Sequence, residues 1–301
     1  VSLPAPTSSN LPATLSVSVA AVTAAGGRPS NQDAVVAVAL PPKGGEPAFL
    51  MAVADGMGGA AGGDVASAIA VRTLQDAVAG DTGADAALLL KQAFRKANEA
   101  IWSEGGGNGM GTTLTAAVVR GKYVAIASVG DSRAYLLRGP GVTQVTKDHS
   151  LVAEQVAQGV IRPEEARTHP QRNVLTQSLG TKPKLDKDLP PVYEIALLPD
   201  DRLLLCSDGF HDVLENRDIA DLLRGAEPAA AANALVALAN ERGTTDNVSA
   251  VVAAAVPTRV VAALPVPAEA PHRNLAAVAV AAIVVLVLAA LVAAWMLGLL
   301  G

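Results

Sequence analysis

The 301-residue chain has a single cysteine, Cys206, so no intrachain disulfide can form, a usage that fits a reducing compartment. Cys206 ends the apolar run Leu203-Leu204-Leu205-Cys206 and reads as a small buried hydrophobe, not a reactive thiol. Aromatic residues are scarce, 3% of a chain that is 50% hydrophobic, which leaves Ala, Val, Leu and Ile to fill the core. Positive charge is not in excess: the net charge is −5, which gives no electrostatic footprint for nucleic acid. Such a chain still binds phosphate where metal ions or a local arginine supply the charge. There is no His/Cys ligand pattern for zinc. Gly105-Gly106-Gly107 is followed by no lysine at the spacing of a phosphate-cradling loop, and reads as a plain loop. No internal repeat is visible.

What is present falls into four stretches. Residues 1–15, rich in Pro, Ser and Thr and free of charge, read as a flexible tail. Leu15 to Ala25 is preceded by no basic residue and is interrupted by Ser16, Ser18 and Thr23, so it reads as a strand and not a signal segment. Residues 16–256 form one domain, and 257–274, with Pro257, Pro265, Pro267 and Pro271, form a semi-rigid linker. From Leu275 to Leu300 no residue carries a charge. As a helix this run is ~39 Å long at 1.5 Å per residue, enough to cross a hydrocarbon core of ~30 Å with some tilt. A single transmembrane helix is therefore expected over 275–300. Arg259, His272 and Arg273 precede it, and the positive-inside tendency favours a single-pass membrane protein with the 16–256 domain on the cytoplasmic side.

Within the domain, β-like runs recur at Val35–Leu40, Phe49–Ala54, Thr113–Val119, Tyr123–Val129, Arg133–Leu137, Arg202–Cys206 and Ser249–Ala255. Asp64 is expected to N-cap a helix reaching about Val78. Leu90, Phe94, Ala97 and Ile101 have the spacing of a buried helix face. Further helices are expected over Ala229–Arg242 and part of Leu151–Ala166. Strands follow one another across short turns, with two helices between the early and middle strands. That order favours an α+β fold with antiparallel sheets and segregated helices.

The aspartates carry the chemistry. Asp55 follows Phe49-Leu50-Met51-Ala52-Val53-Ala54 and precedes glycine; Asp131 follows Ile126-Ala127-Ser128-Val129-Gly130; Asp208 follows the Cys206 run and precedes Gly209. Asp246 stands before Asn247 and an apolar run, and Asp33 stands just ahead of Val35-Val36. Taken singly, each is ordinary turn chemistry. As a set of five at strand ends, with Arg28 five residues before Asp33, they point to a cation site, because converging carboxylates repel unless something positive sits among them. All-oxygen donors suit hard ions such as Mg²⁺ or Mn²⁺.

In this order the motifs Gly27-Arg28-Pro29-Ser30-Asn31-Gln32-Asp33, Ala54-Asp55-Gly56-Met57-Gly58-Gly59, Gly111-Thr112-Thr113, Gly130-Asp131-Ser132-Arg133, Asp148-His149-Ser150, Ser207-Asp208-Gly209 and Asp246-Asn247 resemble the metal-dependent Ser/Thr protein phosphatases (PPM, type 2C) in their short bacterial form. Gly159 to Pro170 looks like the family's flap. The resemblance spans roughly residues 16 to 256. It implies two packed antiparallel β-sheets flanked by helices, an αββα sandwich, and a centre of two Mn²⁺ or Mg²⁺ ions. Carried over, Asp55 bridges both ions and the Gly56 carbonyl binds one, Asp208 and Asp246 hold the other, and Asp33 belongs to the same metal set. Asp131 with Asp208 matches a third, weaker site, and Arg28 grips the substrate phosphate. The implied reaction is hydrolysis of phosphoserine and phosphothreonine in proteins by a metal-activated water, opposing a Ser/Thr kinase.

Two positions depart from much of the family. Met57 stands where many animal and plant members have a histidine proposed as general acid, and Gln32 replaces a common glutamate, weakening one outer contact to a metal. His149, His169 and His211 read as structural or flap residues, and Arg133 as structural. The competing reading is a catalytically weak phosphoprotein-binding sensor at the membrane. Loss of Asp55, Asp208 or Asp246 would favour it, and all three are present. A pure membrane anchor explains the apolar run and leaves the carboxylates without a role.

Overall fold

A computed structural model describes residues 15–43, 46–58, 62–81, 84–105, 107–257, 287–292 and 296. The chain divides into a unit ending at Arg259 and a unit beginning at Val260. Most of the expected tail, linker and apolar run lie outside the described residues.

In the first unit, β1 (Leu15–Ala24), β11 (Val248–Pro257), β10 (Arg202–Cys206), β7 (Arg133–Arg138) and β8 (Gly141–Gln144) form one sheet in that order. The second sheet runs β2 (Asp33–Lys43), β3 (Glu46–Met57), β5 (Leu114–Arg120), β6 (Tyr123–Val129) and β9 (Val192–Ala196), with β4 (Gly111–Thr112) paired to β3 off that path. Every pairing is antiparallel. Helices α1 (Gly63–Ala79) and α2 (Ala86–Gly105) cover the second sheet; α6 (Asn216–Leu223) and α7 (Pro228–Glu241) cover the first. The expected sandwich is the observed one.

The central strands are buried on both faces, which is why they read as unbroken apolar runs instead of alternating ones. On β3, Leu50, Ala52 and Ala54 face α1 and α2, while Met51 and Val53 face the other sheet. On β10, Leu204 and Cys206 face α6 and α7, while Leu203 and Leu205 enter the intersheet core. Small side chains fill where aromatics are few: Ala231, Ala232 and Ala239 of α7 pack with Ala250 of β11. Phe94 and Phe210 are the largest fully buried side chains among the described residues.

One local expectation is corrected. Asp64 does not cap α1. The N-cap is Gly62 and Asp64 lies in the first turn, where a carboxylate favours the helix macrodipole. The start is set by contact instead of capping: a Cβ on Gly56 would lie 2.0 Å from the Gly63 carbonyl oxygen, so β3 and α1 meet backbone to backbone. The segment Leu151–Ala166 is two short helices, α3 (Leu151–Ala157) and α4 (Pro163–Ala166). Gly159, at φ +73°, turns the chain between them, and Pro163 opens the second. Strands β8 and β9, helix α6 and the single turn α5 (Asp208–His211) have no counterpart among the expected elements.

In the second unit, residues 287–292 are helical, and Val287, Leu288, Leu291 and Val292 are each at least half exposed. Among the described residues no helix is long and apolar enough to cross a membrane.

Candidate metal centre

Strand register brings the carboxylates to one end of the sandwich. Asp33, opening β2, is the cross-strand partner of Asp55 near the end of β3. Asp131 lies in the turn between β6 and β7. Asp208 follows β10, whose last residue, Cys206, pairs with Arg133 at the start of β7 and Ala250 near the start of β11. Asp246 stands two residues before β11. Asp55, Asp131, Asp208, Asp246, Gly56 and Arg28 all line one cavity of about 560 Å³. Asp33 does not line it and stands behind it.

The aspartates are held in different ways, by backbone bonds at Asp55, by hydroxyls at Asp33 and by a guanidinium at Asp246. The Asp55 backbone is clamped on both sides. Its N–H donates to Thr113 Oγ1 (3.0 Å), and its carbonyl accepts from Thr112 Oγ1 (2.8 Å) and the Thr113 N–H (2.9 Å). Asp33 Oδ2 accepts from Ser207 Oγ (2.8 Å) and Ser249 Oγ (2.6 Å), which ties the second sheet to the first. Asp33 Oδ1 and Asp208 Oδ1 are buried and have no protein partner. Asp246 Oδ1 accepts from Arg28 Nε (2.9 Å) and its neighbour's N–H (Asn247, 2.9 Å), and Oδ2 accepts from Arg28 Nη2 (2.6 Å). Three of the roughly four lone-pair positions of that carboxylate are used, and one is free.

Asn247 knits the phosphate-side loop to this end. Its Nδ2 donates to the carbonyls of Ala25 and Ser30, and its Oδ1 accepts from the Gln32 N–H. Two histidines flank the Asp131 turn. His149 Nδ1 accepts from the Gly130 N–H (3.2 Å), and His211 Nε2 lies 3.2 Å from the Asp131 carbonyl. Burial lowers both, His211 far below the usual imidazole range, so both rings are neutral at pH 7. Neither lines the cavity, and neither does His169. Arg133 is fixed on Asp148 through Nε and Nη2, the structural role expected of it.

The electrostatics are those of crowded, dry carboxylates. Burial pushes Asp33 up to about 7, even against its two serine donors, and Asp208 up to about 6. Burial, followed by the Asp208 charge, raises Asp55 and Asp131 well above the ordinary carboxylate range. Asp55 and Asp208 bear directly on one another's protonation. Among the described residues no ready-made group of three His, Cys, Asp or Glu side chains that could hold a metal is drawn together. The donors nonetheless fit hard divalent cations. They are all oxygen, they converge on one cavity, and two buried carboxylate oxygens lack a partner that a cation would provide.

The Gly-Thr-Thr motif marked Thr112 and Thr113, although their grip on the Asp55 backbone is visible only in the fold. Ser207, Ser249 and Asn247 stood inside quoted motifs or runs, but their partners lie up to 226 residues away in sequence. Asn173, Thr176 and Ser178, which also line the cavity, carried no sequence signal.

A family profile described as protein phosphatase 2C matches residues 26–241. The serine/threonine phosphatase stp of Listeria welshimeri is 39% identical over 209 residues, 66% of this chain and 82% of that protein. PstP of Mycobacterium tuberculosis is 39% identical over 230 residues, 75% of this chain and 42% of PstP. A crystal structure of the PstP catalytic domain in complex with two manganese ions superposes with a TM-score of 0.70 at 36% identity, covering 81% of this chain and all of that one.

Proposed function

The chain belongs to the protein phosphatase 2C family, and from that premise we propose that it hydrolyses phosphoserine and phosphothreonine in proteins at a centre of two divalent cations, Mn²⁺ or Mg²⁺. The observation that carries this reading is the meeting of Asp55, Asp131, Asp208 and Asp246 in one cavity beside Arg28. Asp55 and the Gly56 carbonyl would hold one ion, and Asp55, Asp208 and Asp246 the other. Asp33 supports the set from behind, and Asp131 with Asp208 would take a third, weaker ion. When bound, the ions supply Lewis acidity that readies water for attack and neutralises phosphoryl charge.

The chain's own residues do the rest. Arg28 uses Nε and Nη2 on Asp246, and among the described residues Nη1 has no partner, so its guanidinium can orient two phosphate oxygens while staying anchored. Among the described lining residues no hydroxyl or thiol is poised for covalent chemistry: Thr113, Thr176, Ser178 and Thr181 line the cavity with no histidine there to activate them, and Cys206 is buried with its thiol pushed up to about 12. Met57 lines the cavity where a histidine acid would stand in other members, which leaves protonation of the departing Ser/Thr oxygen to water.

The charge-free run 275–300, and the exposed apolar side chains of 287–292, support a single-pass membrane anchor that keeps the catalytic unit on the cytoplasmic side, where it reverses the action of a Ser/Thr kinase. The catalytic reading is tested by phosphate release from a phosphothreonine peptide with the full chain, in Mn²⁺ and in EDTA, beside Asp208→Ala. Release that needs metal and falls at least about a hundredfold in the variant is expected. A folded, Mn²⁺-loaded chain that turns over no phosphopeptide would overturn it.

A further inference from the structure

A second cavity of about 340 Å³ adjoins the metal centre and shares Arg28, Asn173 and Asp246 with it. Its walls come from the segment after α4, from α5 and the turn behind it, and from the loop before β11. Three arginines line it, Arg28, Arg167 and Arg172, against two acids, Asp212 and Asp246. No aromatic ring lines it, so it offers no stacking surface to a nucleobase.

Arg28 is paired with Asp246, but the charge of the other two arginines is weakly compensated. Arg167 Nη2 donates to the main-chain carbonyls of His211 (3.1 Å) and Leu214 (3.0 Å), and among the described residues no carboxylate pairs with it. Arg172 approaches Asp212 through a single 3.5 Å contact, with the two side chains 40% and 33% exposed. A pair of that kind is worth little and yields readily to a better anion. The next cavity, about 630 Å³, also touches Arg167 and Arg172 but differs in balance. There Arg133 is consumed by Asp148, and Asp131, Asp212 and Glu215 add further negative charge. The excess positive charge therefore belongs to the smaller cavity, on the side facing Arg28.

We propose that this cavity is a subsite for a second anionic group on the substrate, a phosphate or a carboxylate carried within a few residues of the phosphoresidue being cleaved. The proposal rests on the phosphatase reading. Arg28 borders both cavities, so a chain whose reacting phosphate lies against it passes its next residues, at about 3.3–3.6 Å each when extended, towards Arg167 and Arg172. A planar guanidinium held by carbonyls keeps donors to offer, which suits it to an oxyanion. A lysine or arginine on the substrate would be repelled at the same place.

The test uses the full chain with Mn²⁺ and three peptides identical except near the phosphothreonine: one neutral, one with an aspartate, one with a second phosphothreonine. The anionic peptides are expected to show KM about fivefold to tenfold lower than the neutral one with kcat little changed. That ratio is expected to fall towards one in both Arg167→Gln and Arg172→Gln. A larger effect for the second phosphate than for aspartate assigns the subsite to phosphate, and equal effects assign it to anions in general. Equal KM for all three peptides in the wild type, or a preference that survives both substitutions, overturns the proposal while hydrolysis of the neutral peptide leaves the phosphatase reading standing. Binding of the same peptides, fluorescently labelled, reads the subsite even if no peptide is turned over. Equal affinities there overturn it as well, and failure of the reaction alone is charged to the phosphatase reading.

Discussion

At the scale of single residues, function and stability pull in opposite directions at Asp208. Its carboxyl is buried beside Asp55 and Asp246, and one of its oxygens has no protein partner. A carboxylic acid whose folded pKa is raised stabilises the fold most while protonated, below the ordinary range near 4. That contribution is lost as pH rises through the folded value, here about 6. Asp208→Asn keeps the shape and removes the charge. In EDTA the variant is expected to melt above the wild type, by an amount that grows from about pH 5 to about pH 7.5. Thermal unfolding across that range checks it. With Mn²⁺ the order is expected to reverse, because the wild type alone gains full ligand binding. An EDTA difference that shrinks with pH would contradict the assignment.

The positions of these aspartates were legible because strand-end carboxylates beside glycine recur five times in one chain. What holds them was not. Asp33 depends on Ser207 and Ser249, hydroxyls that reach it only when two sheets close face to face. Asn247 was visible as half of a motif, yet its three backbone partners belong to a loop more than two hundred residues earlier. Asn247→Ala deletes those three bonds at once and leaves buried groups unpaired. A loss of roughly 2–4 kcal/mol is expected, read as a lower urea midpoint. Metal affinity is expected to fall too, because Arg28, Asp33 and Asp246 lose their common tie.

At the scale of elements, the strands buried on both faces announced themselves as apolar runs, and α2 announced itself by its face of Leu90, Phe94, Ala97 and Ile101, all fully buried. The edge strand β8 is too short and too exposed to pattern. Helix α6 is defined by a reciprocal cap between Glu215 and Asp218 that no long apolar stripe advertises. The split between α3 and α4 was written in Gly159 and Pro163, yet a helical pattern on either side masked it. Phe94 carries much of the packing of α2 because so few aromatics share the load. Phe94→Ala is expected to cost about 3–5 kcal/mol in chemical denaturation. Since Phe94 does not line the cavity, the molecules that remain folded are expected to keep their kcat, measured well below the new melting temperature.

At the scale of the whole molecule, the question is whether the second unit alters what the first unit does or only where it does it. Among the described residues, the catalytic end of the sandwich is assembled from residues between Ala25 and Ser249, and every hydrogen bond described for the metal centre closes within that span. No described residue beyond Pro257 lines the cavity. The proposed anchor therefore acts through local concentration: a tethered enzyme meets membrane-bound phosphoproteins at an effective concentration set by its linker, while soluble substrates gain nothing. A chain ending at Pro257 is accordingly expected to keep kcat/KM on a soluble phosphopeptide within about twofold of the full chain and to lose activity on a substrate held on vesicles by roughly tenfold or more. The full chain is expected in the pellet after alkaline extraction of membranes, and the shortened chain in the supernatant. If the full chain is released by alkali, the run 275–300 does not span. If the shortened chain slows on the soluble peptide as much as on the vesicle-bound one, the second unit takes part in catalysis itself.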